Sequence, residues 1–140
     1  MNVDDFLMQP SRLEVRLERA RSEYEIAKSQ AEKTNAVLSP ATSGKGQNKD
    51  FSLIADRKIE LEKEIKEIEN ELNEATRKID EVIQQLPNLT QQRIIHKKYR
   101  EKKNFVIIAD ELGLTEQHVR RLKGNALKEI QKIINKKEEQ

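Results

Sequence analysis

At 140 residues the chain is one domain, or one small domain with an appendage. Charged side chains make up 37% of it, its mean hydropathy is −0.88, and no apolar run approaches the roughly 18–20 residues that a membrane span needs. It has no cysteine, which excludes disulfides, thiolate zinc sites and cysteine nucleophiles and suits a reducing cytoplasm.

The opening MNVDDFLMQPSR carries no basic segment followed by an apolar one, so no secretory leader is expected and the cytoplasm is the expected compartment. Trp is absent, and four Gly and three Pro offer little turn chemistry for a β fold, so an all-α protein of long helices is expected. The net charge of +2 conceals an asymmetry. Residues 1–86 hold 14 Lys/Arg against 18 Asp/Glu, net −4, whereas residues 87–140 hold 13 against 7, net +6. A basic C-terminal third points to an anionic partner there; a solvated Lys-rich helix end would give the same count.

Ser11-Arg12-Leu13-Glu14 after Pro10 reads as a capping box opening a first helix over about 12–34. Its apolar positions, Leu13, Leu17, Ala20, Tyr24, Ala27 and Ala31, alternate in steps of four and three, the spacing of a coiled-coil seam. Residues 35–50, with Pro40, Gly44 and Gly46, read as a loop. The Gly44-Lys45-Gly46 fragment lacks the spacing of a phosphate-binding loop, and no apolar strand precedes it.

A second helix is expected over 51–86. Its seam runs through Leu61, Ile65, Ile68, Leu72, Ala75, Ile79, Val82 and Leu86, and is continued backwards by Lys58 and Ile54. A stripe of this length needs a partner. Folding the first helix back as an antiparallel hairpin covers six positions against ten, and leaves the surplus to a second protomer or to the C-terminal part. The expected organisation is therefore a coiled-coil hairpin over 1–86, through which the chain forms a homo-oligomer, and a separate domain over 87–140. A plain spacer arm is the simpler alternative for the first part.

Pro87 ends the second helix, and Thr90 can cap a short helix with Ile94, Ile95 and Tyr99 inward. After the basic turn Arg100-Glu101-Lys102-Lys103-Asn104 comes FVIIADELGLTEQHVRRL. Ala109 suits a helix crossing, Gly113 four residues on suits a turn with positive φ, and Thr115 suits a helix cap. Val119 and Leu122 then return onto Ile108 and Leu112. This is the spacing of a DNA-binding helix-turn-helix. Projected at 100° per residue, the second helix turns Thr115, Val119, Leu122 and Ala126 inward and presents Gln117, Arg120, Arg121, Gly124 and Lys128 on the opposite face, flanked by Glu116, His118 and Lys123. Gln and Arg make bidentate contacts to purines, and Glu accepts from cytosine. Gly124 either lets the helix approach a backbone closely or weakens it locally.

Residues 89–130, through QQRIIHKKYREKKNFVIIADELG, LTEQHVRRL and ALKEI, resemble the fourth region of bacterial sigma factors, the module that reads the −35 promoter element. The resemblance implies promoter recognition, with Glu116, Gln117 and Arg121 toward bases and with Arg120 and the turn before Phe105 toward phosphates. Arg120 stands beside the other three on the projected face and is counted with them as base-facing. Arg100, Lys102, Lys103, Thr115, His118, Lys123 and Lys128 are the flanking or phosphate-facing set. The aromatics are scattered singly, against the stacked aromatics that would hold a melted strand, so a complete sigma factor is not expected. The layout is similar to the ArpU and RinA-like late transcriptional regulators encoded by phages of Gram-positive bacteria, which implies a late-gene activator acting on double-stranded DNA with host RNA polymerase. A DNA-packaging subunit of the small-terminase kind and a structural coiled-coil adaptor are the competing classes. No enzyme, metal or cofactor is expected: the only histidines are His96 and His118, and no carboxylate cluster has metal-ligand spacing.

Overall fold

The computed structural model of the chain describes residues 1–37 and 45–139, with side chains described over 1–33 and 52–139. The described residues are helical, without strands. The order is α1 (Val3–Val37), α2 (Lys45–Gln84), α3 (Leu89–Ile95), a π-helical turn (His96–Arg100), α4 (Phe105–Leu112) and α5 (Glu116–Glu138). They form two compact units: Ser11–Asn73, and Met1–Pro10 together with Glu74–Gln140.

The Ser11–Asn73 unit is an antiparallel helical hairpin. Leu17, Ala20 and Ile68 are buried in its centre, with Leu13, Ile65 and Leu72 packed against them. Burying a side chain such as Ile68 contributes about 1.5–3 kcal/mol. Exposed polar contacts fix the register: Arg21 to Glu69 at 3.1 Å, Arg57 to Glu23 at 2.9 Å, and the Tyr24 hydroxyl donating to Glu62 at 3.1 Å. Arg16 and Arg21 of α1 meet Glu71 and Glu69 of α2, whereas Glu23 and Tyr24 meet Arg57 and Glu62, which is the antiparallel sense. Exposed pairs of this kind are worth at most about 1 kcal/mol each, so the seam supplies the stability and the ion pairs the alignment. The four-and-three spacing thus serves an intramolecular pairing.

The helix boundaries differ from expectation. α1 starts at Val3, and Ser11 lies inside it rather than capping it. Asn2 caps it instead: its carbonyl accepts from the Phe6 N–H at 3.0 Å and its side chain from the Asp4 N–H at 2.7 Å. Pro10 costs the helix one backbone donor. The first ten residues are held by their apolar stripe Val3, Phe6, Leu7, with Phe6 and Leu7 buried. Of the expected 35–50 loop, 35–37 are in α1 and 45–50 in α2; residues 38–44, with Pro40 and Gly44, lie outside the described residues.

In the other unit, Phe6 and Leu7 join Ile79, Val82, Ile83, Leu86, Ile95, Ala126, Ile130 and Ile134 in one buried cluster. The surplus end of the α2 seam is therefore covered by the C-terminal elements of the same chain. This is why the compact unit begins at Glu74 rather than after Leu86. A second cluster, Ile94, Ile108, Ala109 and Val119, sits between α3, α4 and α5, with Phe105, Leu112, Leu114 and Leu122 around it.

Candidate nucleic-acid interface

The C-terminal elements are set by a succession of local caps. α3 is capped by Asn88, whose side chain accepts from the Gln91 N–H at 3.1 Å. The Thr90 cap expected from sequence is displaced by two residues, into the first turn. The Gln92 amide donates to the Leu86 carbonyl at 2.6 Å and ties α3 to the end of α2. Asn104 caps α4 by accepting from the Ile107 N–H at 3.0 Å. Each such cap is worth about 1 kcal/mol.

The turn between α4 and α5 follows the expected chemistry. Gly113 has φ 67° and ψ 34°, the left-handed conformation that glycine adopts without a Cβ penalty. Its N–H donates to Asp110, and the Leu114 N–H donates back to Ala109 at 2.9 Å, which satisfies the last carbonyls of α4. Thr115 then caps α5, its hydroxyl accepting from the His118 N–H at 3.1 Å. Ala109 is buried where α4 meets α5, and Val119, Ala126 and Ile130 are wholly buried along α5. Thr115, placed by the projection on the inward stripe, is exposed instead, because a capping residue sits outside the helical spiral.

Opposite that stripe Glu116, Gln117, Arg120 and Arg121 are exposed. Thr115, Gln117, His118 and Arg121 line a shallow open cavity of about 360 Å³. There the Arg121 guanidinium donates to His118 Nδ1 at 2.7 Å. Arg120 turns elsewhere: its guanidinium carbon lies 4.4 Å from the centre of the Phe105 ring. Lys98 and Lys123 approach the same ring, at 4.6 and 5.2 Å, and Lys123 also lies 5.9 Å from the ring of Tyr99. Burial, and then the nearby Lys98 charge, push the Lys123 ammonium below the usual lysine range. The expected base-facing set thus divides, with Glu116, Gln117 and Arg121 on one side and Arg120 drawn into a cationic group around Phe105.

The remaining basic residues divide too. Arg100 donates to Asp80 at 2.9 Å, and Lys103 contacts Glu111 at 2.7 Å and Glu101 at 3.1 Å. Lys97 pairs with Glu111 at 2.5 Å. The Lys103 hydrogen bonds hold the Glu101 and Glu111 carboxyls below the usual range, and their carboxylates, Glu111 foremost, raise Lys103. Arg100 and Lys103, expected to face phosphates, therefore serve first to brace the π-helical turn against α2 and α4. Lys102 takes φ 58° at the turn's exit and is exposed, as is Lys128. Lys98, Tyr99 and Phe105 had no place among the expected site residues. Their signal was present in the alternation of basic and aromatic residues in HKKYREKKNF. Among the described residues no group of three His, Asp or Glu side chains is placed to hold a metal ion, and no helix is long and apolar enough to cross a membrane.

A capped helix pair joined through a left-handed glycine, with an exposed polar face on the second helix, defines a helix-turn-helix module. Residues 82–132 match the family model described as Sigma-70, region 4. The C-terminal part is thus a sigma-region-4-like module with a DNA-binding, transcription-related role; a region of this kind is regulatory rather than catalytic. No curated protein and no solved structure matches the chain.

Proposed function

We propose that this chain is a sequence-specific, DNA-binding transcription regulator, a phage-encoded late-gene activator that works at promoters with host RNA polymerase in the bacterial cytoplasm. The observation that carries the reading is the exposed start of α5. There the Gly113 turn and the Thr115 cap present Glu116, Gln117 and Arg121 together, on a segment that matches the Sigma-70, region 4 model. In the major groove Arg121 and Gln117 read purine edges, Glu116 accepts from cytosine, and Arg120, Lys123, Lys102 and Lys128 meet the backbone. Arg100, Lys103 and His118 support these contacts from the flanks.

The hairpin is the oligomerisation arm. Val15 and Ile26 on α1, and Leu53 and Ile59 on α2, are each at least half exposed, and a second protomer would cover them. A pair of modules would then read two half-sites.

The test is a footprint over the promoters of neighbouring genes, together with transcription by purified host RNA polymerase. Protection next to a promoter with increased transcript supports the proposal. Protection without a change in transcription favours a DNA-packaging role, and absence of protection on any of these DNAs removes the DNA reading.

A further inference from the structure

Three cations in the C-terminal module converge on one aromatic ring. The Lys98 ammonium, the Arg120 guanidinium and the Lys123 ammonium all lie within 5.2 Å of the centre of Phe105. Like charges gathered on one ring repel: after burial, the Lys98 charge and then the Arg120 charge lower the Lys123 ammonium. The ring faces offset part of that cost. Among the described residues, no carboxylate forms an ion pair with any of the three. Asp4 acts on Lys123 only at a distance. The contrast with their neighbours is plain: Lys97, Arg100 and Lys103 are each paired with an acid. The group around Phe105 has its cations assembled, with no carboxylate in ion-pair contact and only Asp4 acting on Lys123 from farther off.

We propose that Lys98, Arg120 and Lys123, carried on the ring of Phe105, form one binding site for a backbone phosphate of duplex DNA. The inference rests on the DNA-binding reading above and adds to it a built anchor point. Its position on α5 is what selects a duplex phosphate. Arg120 is the residue next to Arg121, and Lys123 follows within the same turn. A duplex lying on Gln117 and Arg121 therefore carries a sugar–phosphate strand past the group. An entering phosphate relieves the mutual repulsion of three charges at once. The three side chains should consequently act as a unit rather than as independent contacts. Phe105 does not touch the DNA; it is a positioning residue that gathers the cations.

The test uses the full-length protein and a fluorescently labelled duplex, with affinity measured by anisotropy over a range of salt. Lys98→Gln and Lys123→Gln should each weaken binding by about fivefold near 0.15 M salt. The double variant should lose less than the product of the two single losses, and should flatten the slope of log K against log salt by about one, as expected for one phosphate lost. Phe105→Leu, its folding checked by circular dichroism, should weaken binding with no change of charge. If the lysine variants bind as the unsubstituted protein does, or their losses multiply independently, the single-site proposal is overturned and the DNA reading stands. An unchanged affinity in Phe105→Leu likewise overturns it. If the unsubstituted protein binds no duplex at any salt, the functional reading itself has failed.

Discussion

The two units hold themselves together in different ways. The hairpin of residues 11–73 relies on a thin seam, in which Ala20 and Leu17 of α1 meet Ile68 of α2, and on exposed ion pairs that align it. The module of Met1–Pro10 and Glu74–Gln140 has two buried clusters, three capped helices and a tight glycine turn, each fixing the direction of the next element. A repetitive seam tolerates small changes spread along it. A module built of successive caps and crossings depends on single residues. Function follows the same division, because reading a base requires a side chain held in place, which a seam of Ala and Leu has no means to supply.

The largest effect is expected from Val119→Asp. Val119 is wholly buried between α4 and α5. An unpaired charge there should destabilise the module by more than about 3 kcal/mol. A thermal melt should lose the module's transition while the hairpin keeps its helical signal. Retained DNA binding would show that the buried face of α5 has been misassigned.

The complementary substitution is the pair Ile68→Asp and Leu72→Asp in the middle of the seam. Because Ile68 packs on Leu17 and Ala20 of the same chain, helicity from the hairpin should fall while the module stays folded. A change from oligomer to monomer with helicity intact would mean that the seam pairs between chains instead.

How much of this was legible beforehand depends on the range over which a signal acts. The Gly113 turn, the Thr115 cap, the Ala109 crossing and the seam positions depend on neighbours within a few residues, and could be read directly. The start of α1 could not: Pro10 followed by Ser11 and Glu14 has the form of a capping box. Only the packing of Phe6 and Leu7 with Ile130 and Ile134, far along the chain, keeps the earlier residues helical. The side-chain partners of the basic residues were hidden for the same reason. Nothing in the order of residues says that Lys103 meets Glu111 while Lys98 meets the ring of Phe105.

Acidification should separate the bracing ion pairs from the core. Glu101 and Glu111 are held below their ordinary values by Lys103, so they bind fewer protons folded than unfolded. Their contribution to stability is present above pH of about 4.5 and is lost as pH falls through the folded values. Melting temperatures of the module should fall over that interval, and the double variant Glu101→Gln, Glu111→Gln should show a shallower fall. An identical pH profile in the variant would mean that the pairs contribute nothing measurable.

A smaller and opposite effect is expected at Gly124. It lies within α5, and a Cβ added there meets no atom within 4 Å. Gly124→Ala should therefore stabilise the module by about 1 kcal/mol, seen as a rise in its melting temperature. Unchanged DNA affinity would assign the glycine to local helix weakness. A marked loss of affinity in the stabilised variant would show that a DNA backbone approaches closely at this point.

The claim that the start of α5 reads bases is tested most directly at Arg121, on the specific site and on random duplex at matched salt. If Arg121 reads a purine as proposed, Arg121→Ala should cost about 1–3 kcal/mol on the specific site and little on random DNA. Lys102→Ala, in the turn before α4, should weaken both by similar amounts, as a phosphate contact does. Equal losses on the two DNAs for Arg121→Ala would make it a phosphate contact and contradict the assigned reading face.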